Sequence, residues 1–325
     1  MHNLETWKFI LANLEMKVPT MLLYVLDSKG SSPGRKDFFM AVNASQELSG
    51  SIGGGIMEHK WVEFAKERLR DPQAPINDVS IRRQVHDKSA GTDQSGMICS
   101  GEQTLLIYPV KETDVPEIKK LVNALGNHTP GELFLSTSGI RFDGEASNDG
   151  PLTVKEEDPS IYQVRSSVHY NHVSIIGGGH CSLALSKLLY ELGFYIRVYD
   201  DRPGLSTMNL NSYAHEKHLL KNYAELPEKI SQLKDHFVVV MTFGYRTDDE
   251  VIRALTGIPF RYLGLLGSKK KINTMMDQYR KEGYDEKWLN SIRAPIGIPI
   301  NSHTPAEIAV SIAAEIIKIK NAAYE

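Results

Sequence analysis

Short apolar runs alternate with segments of helical periodicity through the second half of the chain. Each run has the length of a buried strand, and the segments between them carry apolar residues three and four positions apart. This alternation predicts a parallel, doubly wound sheet with helices on both faces. The predicted strands are HVSII, YIRVYD, FVVVMTF and YLGLLG, and the predicted helices are CSLALSKLLYELG, YAELPEKISQL, TDDEVIRAL and KKKINTMMDQYRKEG.

The last helix carries its own start signal in the segment HTPAEIAVSIAAEIIKIK. Thr304 is suited to cap the helix, and Pro305 suits the first helical position because its missing N–H would have no partner there. Glu307 completes a capping box with Thr304. The pattern predicts a helix that begins at Pro305.

The first half of the chain has a less regular order of elements, which indicates a smaller, mixed α/β domain. A chain of 325 residues exceeds the roughly 250 to 300 residues that one hydrophobic core serves, so we expect two domains. The N-terminal domain is predicted over 1–150 and a Rossmann-like C-terminal domain over 172–325. Between them, 151–171 is predicted as a polar linker rich in turn formers, in which IYQV could add an edge strand. The predicted N-terminal elements are the strands TMLLYVLDS, DFFMAVNA, VSIRRQV and EQTLLIYPV, a first amphipathic helix, a helix from Gly55, a helix at 114–125 and a strand pair at 132–143.

Composition narrows the class of protein without naming it. The chain is 41% hydrophobic and 24% charged, with a formal net charge of −3, so charge alone attracts it neither to nucleic acid nor to an anionic membrane. No apolar run approaches the length of a membrane span, and the N-terminus lacks the pattern of a secretory signal. We therefore expect a cytoplasmic protein whose two cysteines are thiols.

The segment SIIGGGHCSLAL has the layout of a dinucleotide-binding turn between a strand and a helix. Gly177 allows the tight turn, and Gly179 lets the backbone approach a bound pyrophosphate at the helix N-terminus. Asp200 ends the next predicted strand, at the spacing of a carboxylate that binds ribose hydroxyls. Ser182 stands where the third glycine of such a turn is usual. The alternative is a set of glycines that only fit a packing corner.

His180 does not belong to the usual dinucleotide pattern. At the first turn of the helix its imidazole would contact or crowd a pyrophosphate. The alternative is a histidine that caps or packs locally.

Three more polar loops follow predicted strands, at the edge where open parallel sheets bind ligands. Gly267 and Ser268 precede Lys269 at a helix start that suits an anion, although a lysine run is often only a solvated face. Arg202 follows Asp200 closely, and the simpler interpretation of that pair is a local ion pair. The third loop, MTFGYRTDDE, brings Tyr245, Arg246 and Asp248 past the end of a strand.

The first half has glycine-rich loops of its own. Gly53, Gly54 and Gly55 can let backbone amides close around an anionic or planar ligand. Glu58 either binds hydrogen-bond donors of a ligand or complements the helix dipole. Cys99 lies in a glycine-flanked turn, where it is either a functional thiol or a small buried apolar residue.

The motifs of several common enzyme classes are absent from the sequence. It contains no GxxxxGK[ST], HExxH, paired CxxC or G-x-S-x-G. The sequence therefore carries none of the short motifs that would indicate a P-loop nucleotide hydrolase, a zinc hydrolase or a serine hydrolase.

Several separate segments together resemble one protein family. GSSPGRK, SGSIGGGIMEHKW and GMICSGEQTLLIYP resemble the N-terminal domain of the xanthine dehydrogenase accessory proteins of the XdhC/CoxI type. SIIGGGHCSLALSKLLYELGFYIRVYDDRP, VVMTFGYRTDDEVI with YLGLLGSKKK, and APIGIPINSHTPAEIAVSIAAEII resemble its C-terminal Rossmann-like domain. His180 matches the glycine-glycine-histidine turn of that family.

The resemblance implies an assembly factor that binds the molybdenum cofactor, a molybdopterin, supports its sulfuration and transfers it to a xanthine dehydrogenase or related molybdenum hydroxylase. A cysteine desulfurase and a second copy of the chain are further expected partners. We expect the ligand between the two sets of loops, with Cys99 as the candidate thiol and Cys181 as the second choice. The expected cofactor-binding residues are Gly53, Gly54, Gly55, Glu58, Gly177, Gly179, His180, Asp200, Arg202, Gly267, Ser268 and Lys269.

Two other functions remain open from the sequence. One is an NAD(P)-dependent oxidoreductase, for which Asp200 predicts a preference for NAD. The other is a nucleotide-binding sensor that performs no cofactor chemistry.

Overall fold

Two compact units divide the chain after His169, at Met1–His169 and Tyr170–Glu325. The computed structural model describes residues 4–30, 32, 34–70, 80–85, 101–136, 139–144, 163–168, 171–230 and 236–322. Among these residues, no helix is both long and apolar enough to cross a membrane.

The N-terminal unit contains two antiparallel sheets and three helices in its described residues. In chain order its elements are α1 (Leu4–Glu15), β1 (Thr20–Gly30), β2 (Phe39–Asn43), β3 (Leu48–Ser51), α2 (Gly55–Arg70), β4 (Ser80–Val85), β5 (Gly101–Pro109), α3 (Val115–Gly126), β6 (Gly131–Ser136), β7 (Gly139–Asp143) and β8 (Gln163–Val168). The larger sheet has the order β3-β2-β1-β5-β4 and the smaller one the order β7-β6-β8.

Helices cover both faces of the larger N-terminal sheet. One face packs against α2 through Val62, Ala65 and Leu69. On the other face the ring of Trp7 in α1 lies 5.3 Å from the ring of Phe39 in β2. Since both faces are covered, the first seven residues of β1 are all buried instead of alternating between core and solvent.

The N-terminal unit includes β8, a strand within the segment that the sequence analysis assigned to the linker. β8 pairs antiparallel with β6 and so belongs to the first unit. The sequence QVRSSV lacks the apolar run of a buried strand, which is why its pattern resembled a linker.

The C-terminal unit is a parallel six-stranded sheet between helices. Its elements are β9 (His172–Ile176), α4 (His180–Glu191), β10 (Tyr195–Asp200), α5 (Ser206–Asn209), β11 (Glu216–Leu219), α6 (Leu226–Ile230), β12 (Phe237–Val240), α7 (Tyr245–Ala254), β13 (Tyr262–Leu265), α8 (Lys269–Lys281), α9 (Glu286–Ser291), β14 (Ile292–Arg293) and α10 (Pro305–Asn321). The strand order is β11-β10-β9-β12-β13-β14, with every pair parallel. This is the doubly wound order predicted from the alternating pattern, and it confirms the fold class.

The strand order reverses between β9 and β12, and this reversal opens a crevice at the carboxyl edge of the sheet. β9 ends in the glycine turn, whose Gly177 adopts a φ of +113°. A side chain there would meet the carbonyl oxygen of Met241, at the exit of β12, at 2.2 Å. Only glycine combines that backbone conformation with that close approach.

The predicted start of the last helix is confirmed. The hydroxyl of Thr304 accepts the amide of Glu307 at 3.2 Å, and the Glu307 carboxylate accepts the amide of Thr304 at 2.9 Å. Pro305 is the first residue of α10.

The glycine turn predicts a sharp contrast between two substitutions. Gly177→Ala combines a left-handed backbone with a backbone clash and should lower the free energy of unfolding of the C-terminal unit by about 3 kcal/mol or more. Gly179→Ala is the matched control, because nothing lies within 4 Å of its added methyl group and its φ is −73°; its cost should stay below about 1 kcal/mol. Urea denaturation followed by circular dichroism measures both, and equal costs would contradict the steric argument.

Candidate functional site

Four loops meet the carboxyl edge of the C-terminal sheet, after β9, β10, β12 and β13. The turn after β9 leads directly into α4, with Gly179 as its N-cap residue. The first amides of α4 point out of the helix without partners inside it, as in every α-helix, and give this end a partial positive charge. His180 is the first residue of α4 and is exposed, so its ring is open to a ligand at this end.

Asp200, at the end of β10, is fully buried, and both of its carboxylate oxygens are bound within the chain. Oδ2 accepts the Gly178 amide at 2.6 Å and Arg202 Nη2 at 2.6 Å. Oδ1 accepts the Arg202 amide at 2.9 Å and Arg202 Nε at 2.8 Å. A carboxylate has about four acceptor positions, so Asp200 has none left for a ribose hydroxyl while Arg202 stays in place.

The charge of Asp200 is stabilised by these contacts. Burial alone would raise the pKa of the carboxyl group, but the hydrogen bonds from Arg202 and the Gly178 amide outweigh it and hold the pKa below its usual range. Arg202 is about one-third exposed, and its guanidinium lies 5.6 Å from the centre of the Phe243 ring.

Phe243, in the loop after β12, is the most unusual side chain at this edge. It is 83% exposed, whereas the same loop passes directly against Gly177. An apolar ring held in solvent beside a crevice is available to a flat ligand. Arg202 and Phe243 together form a flat cationic and aromatic surface, which we call the Arg202–Phe243 platform.

A second buried carboxylate fixes the loops after β12 and β13. Asp248 accepts the amide of Thr242 at 3.0 Å and the hydroxyl of Thr242 at 2.6 Å. Lys271 Nζ forms an ion pair with Asp248 and donates to the carbonyl of Leu266 at 3.1 Å. Lys271 therefore ties α8 to α7 and is not one of the solvated lysines at this helix start.

The remaining predicted residues of this edge lie at the start of α8. Ser268 is its N-cap and accepts the amide of Lys271 at 3.3 Å. Gly267 and Ser268 precede the exposed side chain of Lys269. Two strand spacings separate β13 from β9, about 10 Å, so this loop borders the glycine turn without touching it.

The glycine loop of the N-terminal unit, Gly53 to Gly55, has a left-handed backbone at all three residues. Glu58 Oε2 accepts the amides of Ile52 at 2.9 Å and Gly54 at 3.0 Å. Glu58 therefore binds amides of its own loop, and the loop already contains a negative charge at the place where an anion would sit.

Two buried polar atoms lie near this loop without a hydrogen-bond partner among the described residues. Gln103 is fully buried and donates through Nε2 to the carbonyl of Ile52 at 3.0 Å, while its Oε1 has no donor. Ser32, whose side chain is 3% exposed, has an unpartnered Oγ. Gly34, two residues further on, packs against the Gln103 amide so closely that a methyl group would meet Nε2 at 2.2 Å. Gln103 Oε1 is therefore a buried acceptor without a donor in the described part of the chain.

Residues 173–316 match the model of the XdhC Rossmann domain family. The C-terminal unit is an XdhC Rossmann domain. This confirms the resemblance that the C-terminal motifs indicated.

Two curated relatives and one solved structure are similar to the chain. The uncharacterized protein YqeB of Escherichia coli is 26% identical over 94% of the chain and 44% of its own length. A Bacillus subtilis protein, named as a probable subunit of xanthine dehydrogenase, is 29% identical over 45% of the chain and 42% of its own length. The matches therefore span less than half of either relative. A crystal structure of a xanthine dehydrogenase from Bacillus halodurans, so named, shares the fold with a TM-score of 0.72 at 21% identity, over 98% of this chain and 96% of that one.

The predicted residues fall into two sets in different units. The turn, Asp200, Arg202 and the start of α8 lie at the carboxyl edge of the XdhC Rossmann domain, and Gly53 to Glu58 lie in the N-terminal unit. The shared ligand site stays a prediction. Cys99 lies outside the described residues, which contain no group of three or more His, Cys, Asp or Glu side chains arranged to hold a metal ion.

Sequence reasoning missed three features of the two loop regions. Phe243 was predicted as the last residue of the strand FVVVMTF, whereas β12 ends at Val240. Gln103 sits inside a strand, where its amide resembled a surface position. The pairing of Asp248 with Lys271 depends on two loops distant in sequence, so no local pattern indicates it.

Burial disfavours a thiolate at Cys181, the second-choice thiol of the sequence analysis. The thiol is half-buried beside apolar neighbours, and burial raises its pKa above the ordinary value.

Alkylation tests the state of the Cys181 thiol. In a Cys99→Ala variant, iodoacetamide should label Cys181 at least about fivefold more slowly at neutral pH than in the urea-unfolded chain, because the thiolate is the nucleophile. The rate should keep rising above pH of about 8.5, the ordinary thiol pKa. A labelling rate that levels off below that pH would show that the Cys181 thiol has a lowered pKa, which would contradict the effect of burial.

Removal of Arg202 should change the dependence of stability on pH. Arg202→Gln leaves Asp200 buried without its cation, which should cost about 1 to 3 kcal/mol near pH 7, at the low end if water reaches the carboxylate. The lowered pKa of Asp200 adds stability above its unfolded-state pKa, about 3.9, and this is lost as pH falls through the lower folded-state value. The variant loses that contribution, so its deficit should persist down to about pH 4 and shrink as the pH falls further, through the lowered pKa of Asp200.

Urea titrations at several pH values measure this deficit. Arg246→Gln is the matched control, because its ion pair with Glu250 is highly exposed and should contribute less than about 0.5 kcal/mol at any pH. A deficit of Arg202→Gln that does not depend on pH would contradict the assignment of charge at Asp200.

Proposed function

We propose that this chain is an accessory protein of a xanthine dehydrogenase or a related molybdenum hydroxylase. In this role it binds the molybdenum cofactor, supports its sulfuration and passes it to the hydroxylase. The match of residues 173–316 to the XdhC Rossmann domain carries the proposal. The name of the Bacillus subtilis relative points to the same enzyme system.

The carboxyl edge of the XdhC domain suits the phosphate-bearing part of such a cofactor. The first amides of α4, the exposed part of Arg202 and the exposed Lys269 all offer hydrogen-bond donors or positive charge. The ring of Phe243 offers a flat apolar surface to a heterocycle. When bound, the cofactor supplies the molybdenum centre of the hydroxylase; the residues named here bind and orient it.

The loop region of the N-terminal unit suits a different chemical group. Gln103 Oε1 accepts hydrogen bonds and lacks a donor, and Glu58 brings a negative charge to the same loop. A ligand group that donates hydrogen bonds fits this region better than an anion does. The N–H groups of a pterin ring are donors of that kind.

Recognition of NAD in the usual way is disfavoured by the state of Asp200. In a dinucleotide site this carboxylate accepts the ribose hydroxyls, whereas here its acceptor positions are filled by Arg202 and the Gly178 amide. An oxidoreductase function would require Arg202 to leave a buried carboxylate. The accessory function has no such requirement.

Chemical analysis of the purified protein tests cofactor binding. The full chain, purified from a molybdenum-replete host and denatured, should release an oxidisable pterin with characteristic fluorescence together with molybdenum. Phe243→Ala should reduce both to below about one-third, since stacking on an aromatic side chain is typically worth about 1 kcal/mol. Gln103→Met, which keeps the side-chain volume, should reduce them similarly if the N-terminal loop takes part.

The matched control is Tyr190→Ala, which removes a half-exposed ring at the opposite end of α4. It should retain as much cofactor as the unmodified chain. Absence of pterin and molybdenum from the unmodified chain would contradict cofactor binding, and equal retention in Phe243→Ala and Tyr190→Ala would exclude the Arg202–Phe243 platform.

The accessory role itself is tested in cells. Deletion of this chain should leave the hydroxylase polypeptide present but largely inactive, and the intact chain should restore activity. Cys99→Ala should fail to restore it if that thiol carries sulfur, whereas Cys181→Ala should restore it fully.

A further inference from the structure

An open cleft of about 550 Å³ lies at the amino end of β13 in the XdhC Rossmann domain. Its walls come from the segment 257–263, from α9 and from Arg293 of β14. Because the strands are parallel, this edge of the sheet is opposite the edge that carries Gly177. Its volume is in the range of small-molecule sites. None of the cofactor-binding residues predicted from the sequence lines it.

Positive charge exceeds negative charge in this cleft. Lys287 and Arg293 line it, are exposed, and form none of the ion pairs found in the described part of the chain. The lining carboxylate, Asp285, accepts the amide of Trp288 at 2.7 Å as the cap of α9. An anion in the cleft would therefore meet two cations that no described carboxylate neutralises.

Arg261 holds the floor of the cleft in place. Its Nη2 donates to the carbonyl of Lys320 at 2.8 Å, near the end of α10, and its guanidinium lies 5.4 Å from the centre of the Phe237 ring. These contacts fix Arg261 while its charge still faces the lining residues. The cleft thus combines one arginine held by contacts within the chain with two exposed cations.

Aromatic and aliphatic side chains form the rest of the wall. Trp288 and Phe260 are partly buried and line the cleft together with Ile258 and Ile319. The Trp288 ring is supported from behind by Tyr284, with ring centres 6.2 Å apart. A flat ring would find aromatic contact surface beside the two cations.

We propose that this cleft binds a planar aromatic ring that carries an anionic group, about the size of a nucleoside monophosphate. The apolar wall takes the ring, and Lys287 and Arg293 take the anionic group. The site is on the opposite edge of the sheet from the proposed cofactor residues and does not depend on the proposed function.

Calorimetric titration of the full chain with adenosine 5′-monophosphate tests the proposal. Binding should be measurable with a Kd below about 1 mM, and adenosine and inorganic phosphate should each bind at least about tenfold more weakly because each has half of the recognised chemistry. Lys287→Ala and Arg293→Ala should each weaken binding about fivefold. Lys270→Ala is the matched control, since Lys270 is an exposed lysine at the carboxyl edge, and it should leave the affinity unchanged.

Tryptophan fluorescence locates the ligand independently of charge. Trp288 is the one tryptophan of the C-terminal unit, so the monophosphate should quench emission in the unmodified chain. It should not do so in Trp288→Phe, which keeps a ring and should bind with nearly unchanged affinity. The proposal is wrong if no binding is found up to about 1 mM, if Lys270→Ala weakens binding as much as Arg293→Ala does, or if inorganic phosphate binds as well as the nucleotide.

Discussion

The close contact between the exits of β9 and β12 determines the geometry of the whole carboxyl edge of the XdhC domain. The amide of Met241 donates to the carbonyl of Ile176 at 2.8 Å, and the amide of Gly177 donates to the carbonyl of Tyr199 at 2.7 Å. Three neighbouring strands are thus connected where their loops begin. With no side chain at Gly177, the loop after β12 can lie directly on the glycine turn, and this places Phe243 at the crevice.

Two buried carboxylates stabilise the loops around that contact. Asp200 holds the turn after β9 through the Gly178 amide and holds Arg202 as its counter-ion. Asp248 holds the loop after β12 through Thr242 and draws Lys271 inward from α8. A buried carboxylate that loses its cation is costly, so each pair couples two loops. The acidic residue that would recognise a ribose in a dehydrogenase serves here to position Arg202.

The two units offer complementary chemistry to a ligand. The XdhC domain presents amides, an arginine and lysines at its carboxyl edge, so it favours anionic groups, whereas the N-terminal loop region presents an unpartnered amide oxygen and a carboxylate, so it favours donors. The cleft beside Trp288 is at the other edge of the sheet and has its own balance of charge.

The sequence by itself determined the fold class, the glycine turn and the cap of α10, because these depend on local periodicity and on backbone conformations open only to glycine. Its contiguous motifs indicated the family whose Rossmann-domain model matches residues 173–316. Its failures were polar elements: β8 and the edge strand β11, EKHL, lack the apolar run by which a strand is recognised. Only the tertiary structure decided what the polar residues do. Asp200 and Lys271 are bound to partners within the chain. Gln103 Oε1 has no hydrogen-bond donor among the described residues, and the ring of Phe243 is exposed to solvent. Those outcomes depend on which loops come into contact in the folded chain. Contacts between residues far apart in the sequence produce no periodic pattern of apolar and polar residues, so the sequence does not reveal them.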